Sequence, residues 1–403
     1  MSDLNSVPSG ERVHISFFGC RNAGKSSIVN LFTGQDLSIV SDTPGTTTDP
    51  VKKSMELLPL GPVTVIDTPG IDDTGDLGSL RAERGIDVLE KTDIAILVIA
   101  SDSGINRYDK DILQRIRKKE IPHLIVFNKT DLLSNDEIPD KSDIKGEEDN
   151  ILYVSATQKK GIEELKIRTA ELLKDAVKER PLIGDLISEG DRIVLVVPID
   201  KAAPKGRLIL PQQQVIRDAL DHGAIPVICR DSELRDTLAS LKSAPKMVIT
   251  DSQVFKKVDG IVSDDIPLTS FSILMARYKG NFEPAVKGVK AIERLTDGDR
   301  VLISEGCTHH RQCGDIGSVK IPALLKKYTG HEIDIDLSSG TEFPKDLTPY
   351  SLIIHCGACM LNESEAVNRY RRAAEQGVAI TNYGIALSYM NGILDRCIKM
   401  FRI

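Results

Sequence analysis

The chain has 403 residues, 41% of them hydrophobic and 28% charged, enough for two or three domains that each bury a core. A formal net charge of −7 with no long basic block argues against a general nucleic-acid surface, and no apolar run approaches a membrane span. The first residues, MSDLNSVPSGERVH, contain no apolar signal segment; seven cysteines, several near the C-terminus, fit metal ligation in a reducing, cytoplasmic setting better than a disulfide framework.

Residues 13–18 (VHISFF) read as a buried strand that runs into Gly19, Cys20, Arg21, Asn22, Ala23, Gly24, Lys25 and Ser26, after which SIVNLFTG has helical spacing. This is a P-loop in its strand-to-helix context. Its glycines let the backbone curl so that N–H groups and the helix N-terminus, from Ala23 to Ser27, face phosphates. Lys25 reaches the β- and γ-phosphates, and Ser26 Oγ can ligate Mg²⁺. Cys20 is not expected to be a metal ligand.

Gly45, Thr46, Thr47, Thr48 and Asp49 follow in a polar, proline-containing segment suited to switch I, where a threonine hydroxyl completes the Mg²⁺ shell when GTP is bound. The apolar run VTVI then leads into Asp67, Thr68, Pro69 and Gly70. Asp67 can hold the Mg²⁺ water shell, and the Gly70 N–H can sense a γ-phosphate. Asn128, Lys129, Thr130 and Asp131 follow the strand HLIVF, and the Asp131 carboxylate can accept hydrogen bonds from guanine N1 and N2, a donor pair that adenine lacks. Ser155 and Ala156 close the strand ILYV and bring the Ala156 N–H to guanine O6. Five elements in this order predict a GTPase. The residue after Gly70 is Ile71 and not a water-orienting glutamine, and Asp72, Asp73, Asp76 and Glu83 offer no clear catalytic base, so slow turnover is expected.

These motifs resemble the Era and TrmE branch of GTPases. The resemblance implies that Thr47, in its Gly-Thr-Thr context, is the Mg²⁺ ligand. It also implies that Asn22 ligates a K⁺ ion placed where an arginine finger would otherwise neutralise transition-state charge; the alternative is that Asn22 simply caps the loop.

The helix KGIEELKIRTAELLKDAVKER ends before Pro181, closing a first domain over residues 1–180. RIVLVVPID, AIPVICR and KMVITD then read as strands, with helices at 212–222 and 232–241. They form a small α/β domain over 181–264 that has no phosphate loop and is suited to association. Over 265–403, a mainly helical stretch at 268–295 precedes the strands DRVLISE, EIDIDL and YSLIIH, and the helices VKIPALLKKYTG and ESEAVNRYRRAAEQG. The fold class is therefore α/β: a P-loop GTPase domain followed by two further α/β domains with largely parallel sheets.

In the last domain two apolar strands end at Cys307 and at His355 with Cys356. Ligand sites form beyond the carboxyl ends of such strands. Cys307, Cys356 and Cys359, with imidazoles at His309 and His355, can build a Cys₃His zinc site or hold a [4Fe–4S] cluster by three thiolates. A Cys-x-x-Cys redox pair is a further reading, although no thioredoxin-like context precedes it. Cys229, Cys313 and Cys397 read as ordinary small core residues.

The whole chain resembles the HydF family of [FeFe]-hydrogenase maturation GTPases. The most specific mark is Cys-x-His followed after a long spacer by His-Cys-x-x-Cys, matched by Cys307, His309, His355, Cys356 and Cys359. The resemblance implies a [4Fe–4S] cluster on Cys307, Cys356 and Cys359. Three thiolates leave one iron with an exchangeable position, which His309, His355, Glu305, His310 or water can fill at rest, or an imidazole can instead support the cluster by a hydrogen bond to sulfur. The resemblance further implies a homodimeric carrier of a transient di-iron subcluster precursor, with apo-hydrogenase downstream and the radical SAM maturases HydE and HydG upstream. The other classes to weigh are a ribosome or tRNA maturation GTPase bearing a structural zinc, and a thiol-redox regulated GTPase.

Overall fold

The computed structural model describes residues 9–34, 50–59, 61–70, 84–133, 144–176, 180–199, 208–306, 315–340 and 342–401. The chain divides into two compact units, residues 1–178 and 179–403.

The first unit is built on a six-stranded sheet of β1 (Val13–Phe18), β2 (Val51–Leu57), β3 (Gly61–Asp67), β4 (Ile94–Ala100), β5 (His123–Asn128) and β6 (Ile151–Tyr153). Its order is β2-β3-β1-β4-β5-β6, antiparallel between β2 and β3 and parallel elsewhere. Parallel strands are covered on both faces and so read as continuous apolar runs; every residue of IAILVIA in β4 is buried. The edge strand β2 instead carries the exposed Lys52, a charge that discourages further pairing. The P-loop helix, Lys25–Thr33, packs Ile28, Val29 and Phe32 into this core, and Gly34 in left-handed geometry ends it.

The second unit holds two four-stranded parallel sheets. The middle one contains β7 (Arg192–Val196), β8 (Ile225–Cys229), β9 (Met247–Thr250) and β10 (Leu268–Ser270) in the order β10-β9-β7-β8. The last contains β11 (Arg300–Glu305), β12 (Asp334–Ser339), β13 (Leu352–His355) and β14 (Ala379–Asn382) in the order β12-β11-β13-β14. One apolar core joins them, running from Leu195 and Ile249 through Ile273, Leu274 and Met275 of the helix Phe271–Tyr278 to Ile303 and Ile354.

β10, which follows the boundary expected after residue 264, pairs with β9 in the middle sheet. The polar run DDIP at 264–267 has the composition of a linker but is the turn into a three-residue strand too short to show periodicity. In the last sheet the chain winds from β11 to β12 on one side and returns to β13 on the other. This reversal lies between β11 and β13, the place where open α/β sheets form crevices. Among the described residues no helix is long and apolar enough to cross a membrane.

Candidate functional site

Four of the five nucleotide motifs, the P-loop, the segment from Asp67 to Gly70, the segment from Asn128 to Asp131, and Ser155 with Ala156, lie at the carboxyl edge of the first sheet. Lys25, buried at the start of the P-loop helix, places Nζ 3.2 Å from Asp67 Oδ1, and Ser26 Oγ donates to Asp67 Oδ2 at 2.7 Å. A hydroxyl and a carboxylate side by side are the hard oxygen donors that Mg²⁺ takes, and the lysine beside them is a point charge for phosphate. Gly24 has φ 80°, and a Cβ there would lie 2.1 Å from Asn128 Nδ2. That closeness has a purpose: Asn128 Nδ2 donates to the Ala23 carbonyl at 2.9 Å, while Asn128 Oδ1 accepts from Ala156 N at 3.1 Å. One side chain thus clamps the P-loop to both base-binding loops. Gly70 also packs closely, since a Cβ there would stand 2.9 Å from Arg21 Cα.

Asp131 Oδ1 accepts from Ser155 Oγ, which fixes the carboxylate expected from sequence to meet guanine. Lys129 sits in left-handed geometry at φ 63° with Nζ 3.4 Å from Asp102. A cavity of about 240 Å³ beside the P-loop is lined by Cys20, Arg21, Asn22, Asp102, Ser103 and Lys129 among others. Cys20 turns toward Asn106 Nδ2, which donates to its sulfur at 2.9 Å; Asn106 and Asp109 form the capping box of the helix Arg107–Lys118. Thr46, Thr47 and the acidic positions Asp72, Asp73, Asp76 and Glu83 lie outside the described residues.

The thiol site begins where β11 and β13 run side by side, with Ser304 opposite His355. Cys356 N donates to the Ser304 carbonyl at 2.8 Å, and the Gly306 N–H reaches Cys356 Sγ at 3.0 Å. A second backbone donor, Ala358 N, lies 3.4 Å from the same sulfur. Ala358 takes a left-handed φ of 55°, which turns the loop so that Cys359 follows on the same short segment. Burial pushes both thiols up, Cys359 to about 12, where the neighbouring Cys356 adds to the effect and Lys279 opposes it. Without a bound cation these sulfurs are thiols; a metal would take their protons. Cys307 and His309 lie outside the described residues, and among the described residues no group of three or more His, Cys, Asp or Glu side chains is placed to hold a metal ion.

His355 is engaged elsewhere. Its Nδ1 lies 2.9 Å from the Cys356 carbonyl, so that nitrogen carries the proton; its Nε2 lies 3.1 Å from Arg369 Nη1 and must be the acceptor. Burial first, then the Arg369 charge, hold the ring neutral, with the pKa pulled down to about 3. Arg369 is itself buried and pairs with Glu365 and the Gly340 carbonyl, both at 2.8 Å, with its guanidinium 5.0 Å from the Phe343 ring centroid. Successive residues of a strand face opposite sides, a signal available from sequence that separates His355 from Cys356. Glu305, by contrast, ends β11 at the site, where Tyr383 Oη donates to its carboxylate at 3.2 Å. Arg369, Tyr383 and Lys279 carried no motif by which sequence could single them out. Cys229 and Cys397 are buried core residues, as expected.

Three family models match the chain: the hydrogen maturase F dimerization domain over residues 182–280, the hydrogen maturase F tetramerization domain over 283–400, and a 50S ribosome-binding GTPase domain over 14–129. GTPase Der of Kosmotoga olearia is 36% identical over 137 residues, covering 33% of this chain and 31% of Der. The tRNA modification GTPase MnmE of Nitrosomonas europaea is 32% identical over 176 residues, covering 43% of this chain and 37% of MnmE. The chain thus spans about a third of the length of these curated relatives. Among solved structures, Aquifex aeolicus Era bound to GDP·AlF4⁻ aligns with a TM-score of 0.34 at 19% identity, covering 54% of this chain and 92% of Era.

Proposed function

Because the chain belongs to the hydrogen maturase F family of GTPases, we propose that it hydrolyses GTP while carrying an iron–sulfur cluster and a di-iron precursor to a hydrogenase. In the first unit, the P-loop amides and Lys25 hold the phosphates, Ser26 and Asp67 hold Mg²⁺, and Asp131 with the Ala156 N–H selects guanine. Thr47 completes the Mg²⁺ shell in the GTP state. Asn22, which lines the cavity beside the P-loop, is the K⁺ ligand.

The observation that carries the cluster reading is the contact of Gly306 N with Cys356 Sγ, because the chain enters Cys307 directly after Gly306. Cys307, Cys356 and Cys359 then form the thiolate set for a [4Fe–4S] cluster, with backbone N–H groups directed at sulfur, a common feature of such sites. A cluster held by three thiolates supplies one iron with an exchangeable position, where a bridging group of the di-iron cargo can attach and leave. Glu305 or His309 occupies that position at rest, while His355 braces the loop through its bond to the Cys356 carbonyl. HydE and HydG supply the cargo, apo [FeFe]-hydrogenase receives it, and the GTPase cycle times the exchange of partners.

The test is anaerobic reconstitution with iron, sulfide and zinc analysis and EPR, comparing native protein with Cys307→Ala. About four irons with matching sulfide per chain and a reducible signal, both lost in the variant, are expected. Stoichiometric zinc with no cluster would overturn the carrier reading in favour of a ribosome or tRNA maturation GTPase with structural zinc; the similarity to MnmE, a tRNA modification GTPase, bears on the GTPase part alone. Reversible thiol loss without iron would favour redox regulation.

The carrier works as an oligomer, in keeping with the family models named for dimerization and tetramerization. The open edge of the middle sheet is β8, where Ile225 and Ile228 are 48% and 47% exposed. Uncovered β-branched residues on an edge strand invite strand pairing, and a second copy's β8 is the natural cover. Ile228→Lys is expected to lower the mass measured by size exclusion with light scattering to that of a smaller assembly. An unchanged mass would place the interface elsewhere.

A further inference from the structure

The helix Phe271–Tyr278 ends with Lys279 as its C-cap, and this lysine is only 3% exposed. Its Nζ donates to the Leu361 carbonyl at 2.9 Å and lies 5.7 Å from the Tyr278 ring centroid. Burying an ammonium is unfavourable unless acceptors or anions surround it, so a lysine in this place answers to some demand of its surroundings. Leu361 is the residue at which the thiol loop closes, its N–H bonding the Ala358 carbonyl at 3.1 Å. It also packs on Gly306, where a Cβ would come within 2.8 Å of the Leu361 side chain. The lysine therefore grips the segment that joins Cys356 and Cys359 to the residue preceding Cys307.

We propose that Lys279 is a positioning residue of the thiol site: its buried ammonium pins the loop through Leu361 and offsets the negative charge of a thiolate-bound metal. The inference rests on the reading that these cysteines bind metal. Three thiolates around a cluster leave a net negative charge in a partly buried place, where a nearby cation stabilises it far more than it would in water. Lys279 reaches the Cys359 side through Leu361, two residues on, and Arg369 reaches the Cys356 side through His355, whose Nδ1 bonds the Cys356 carbonyl. Lys279 falls at the end of the dimerization match, whereas the cysteines fall in the tetramerization match. The contact thus makes the thiol site depend on the neighbouring module.

Co²⁺ titration, followed by the thiolate-to-metal absorption band, tests this on the native full chain, K279M and K279R, together with the midpoint potential of the reconstituted cluster. K279M keeps the length and loses the charge; it is expected to bind Co²⁺ about tenfold more weakly, and its cluster to become harder to reduce. K279R is expected to stay close to native in both readouts. Native affinity and potential in K279M, or equal weakening in K279M and K279R, would overturn the proposal while leaving the metal site in place. Failure of the native chain itself to bind Co²⁺ and iron would remove the metal reading and this inference with it. If K279M does not fold, K279Q, which can still donate to a carbonyl without carrying charge, supplies the same comparison.

Discussion

Lys25→Ala is expected to lower GTP hydrolysis by about 10²–10³-fold and to abolish the benefit of GTP in hydrogenase activation. In the proposed nucleotide site this lysine supplies the charge that meets the β- and γ-phosphates. It is held ready by burial and by its 3.2 Å contact with Asp67, and Ser26 shares the same carboxylate. Alanine would remove the proposed phosphate contact and take the ammonium away from Asp67. Helix propensity is not lost, so the fold should survive. Phosphate release should be measured in K⁺ and in Na⁺ for both proteins. Native turnover should fall in Na⁺, reporting on Asn22, while the variant should be slow in either salt. The second readout is activation of apo-hydrogenase with HydE and HydG present. If Lys25→Ala activates the hydrogenase as well as native protein does, nucleotide turnover does not time the transfer, although the chain remains a GTPase.

That prediction draws on the part of the molecule most legible in the sequence. The P-loop, Asp67, Asn128 and Ala156 could be placed because each is tied to a strand end by local chain geometry, and their spacing follows from the fold. The last sheet was legible for the same reason: VLIS and SLII are apolar enough to be strands buried on both faces, so their carboxyl ends could be expected to lie side by side, as Ser304 and His355 do, although Cys307 itself lies outside the described residues. Short elements were less so. The strands LTS of β10 and AITN of β14 have three and four residues, too few for a pattern. Charged residues turned inward were least legible. In ESEAVNRYRRAAE the helical phase sets Arg369 on the same face as Ala366, Tyr370 and Ala373, but composition alone reads an arginine as solvated. His355 shows the converse: the motif marks it as a ligand, whereas strand alternation and the presence of Arg369 commit both its ring nitrogens.

Arg369→Ala should be the most destabilising single change in the second unit, by about 3–5 kcal/mol. The guanidinium donates to Glu365, the Gly340 carbonyl and His355 Nε2 while lying over Phe343, all in the interior. Its removal takes the guanidinium from the buried Glu365 carboxylate, the Gly340 carbonyl and His355 Nε2, and opens a void beside β13. Such a loss is a large fraction of the roughly 5–15 kcal/mol that stabilises a typical domain. Urea unfolding, followed by a signal from the second unit, should show a midpoint lower by about 1–2 M for a slope near 2–3 kcal/mol per M. The contribution of the pair itself is a separate matter, because desolvating two charges offsets most of their attraction. Glu365→Leu combined with Arg369→Met should therefore recover much of the lost stability while still leaving His355 Nε2 without its donor. If that double variant is stable yet holds metal poorly, the network's main role is to orient His355 and the Cys356 carbonyl. If stability and metal retention recover together, the arginine serves packing alone.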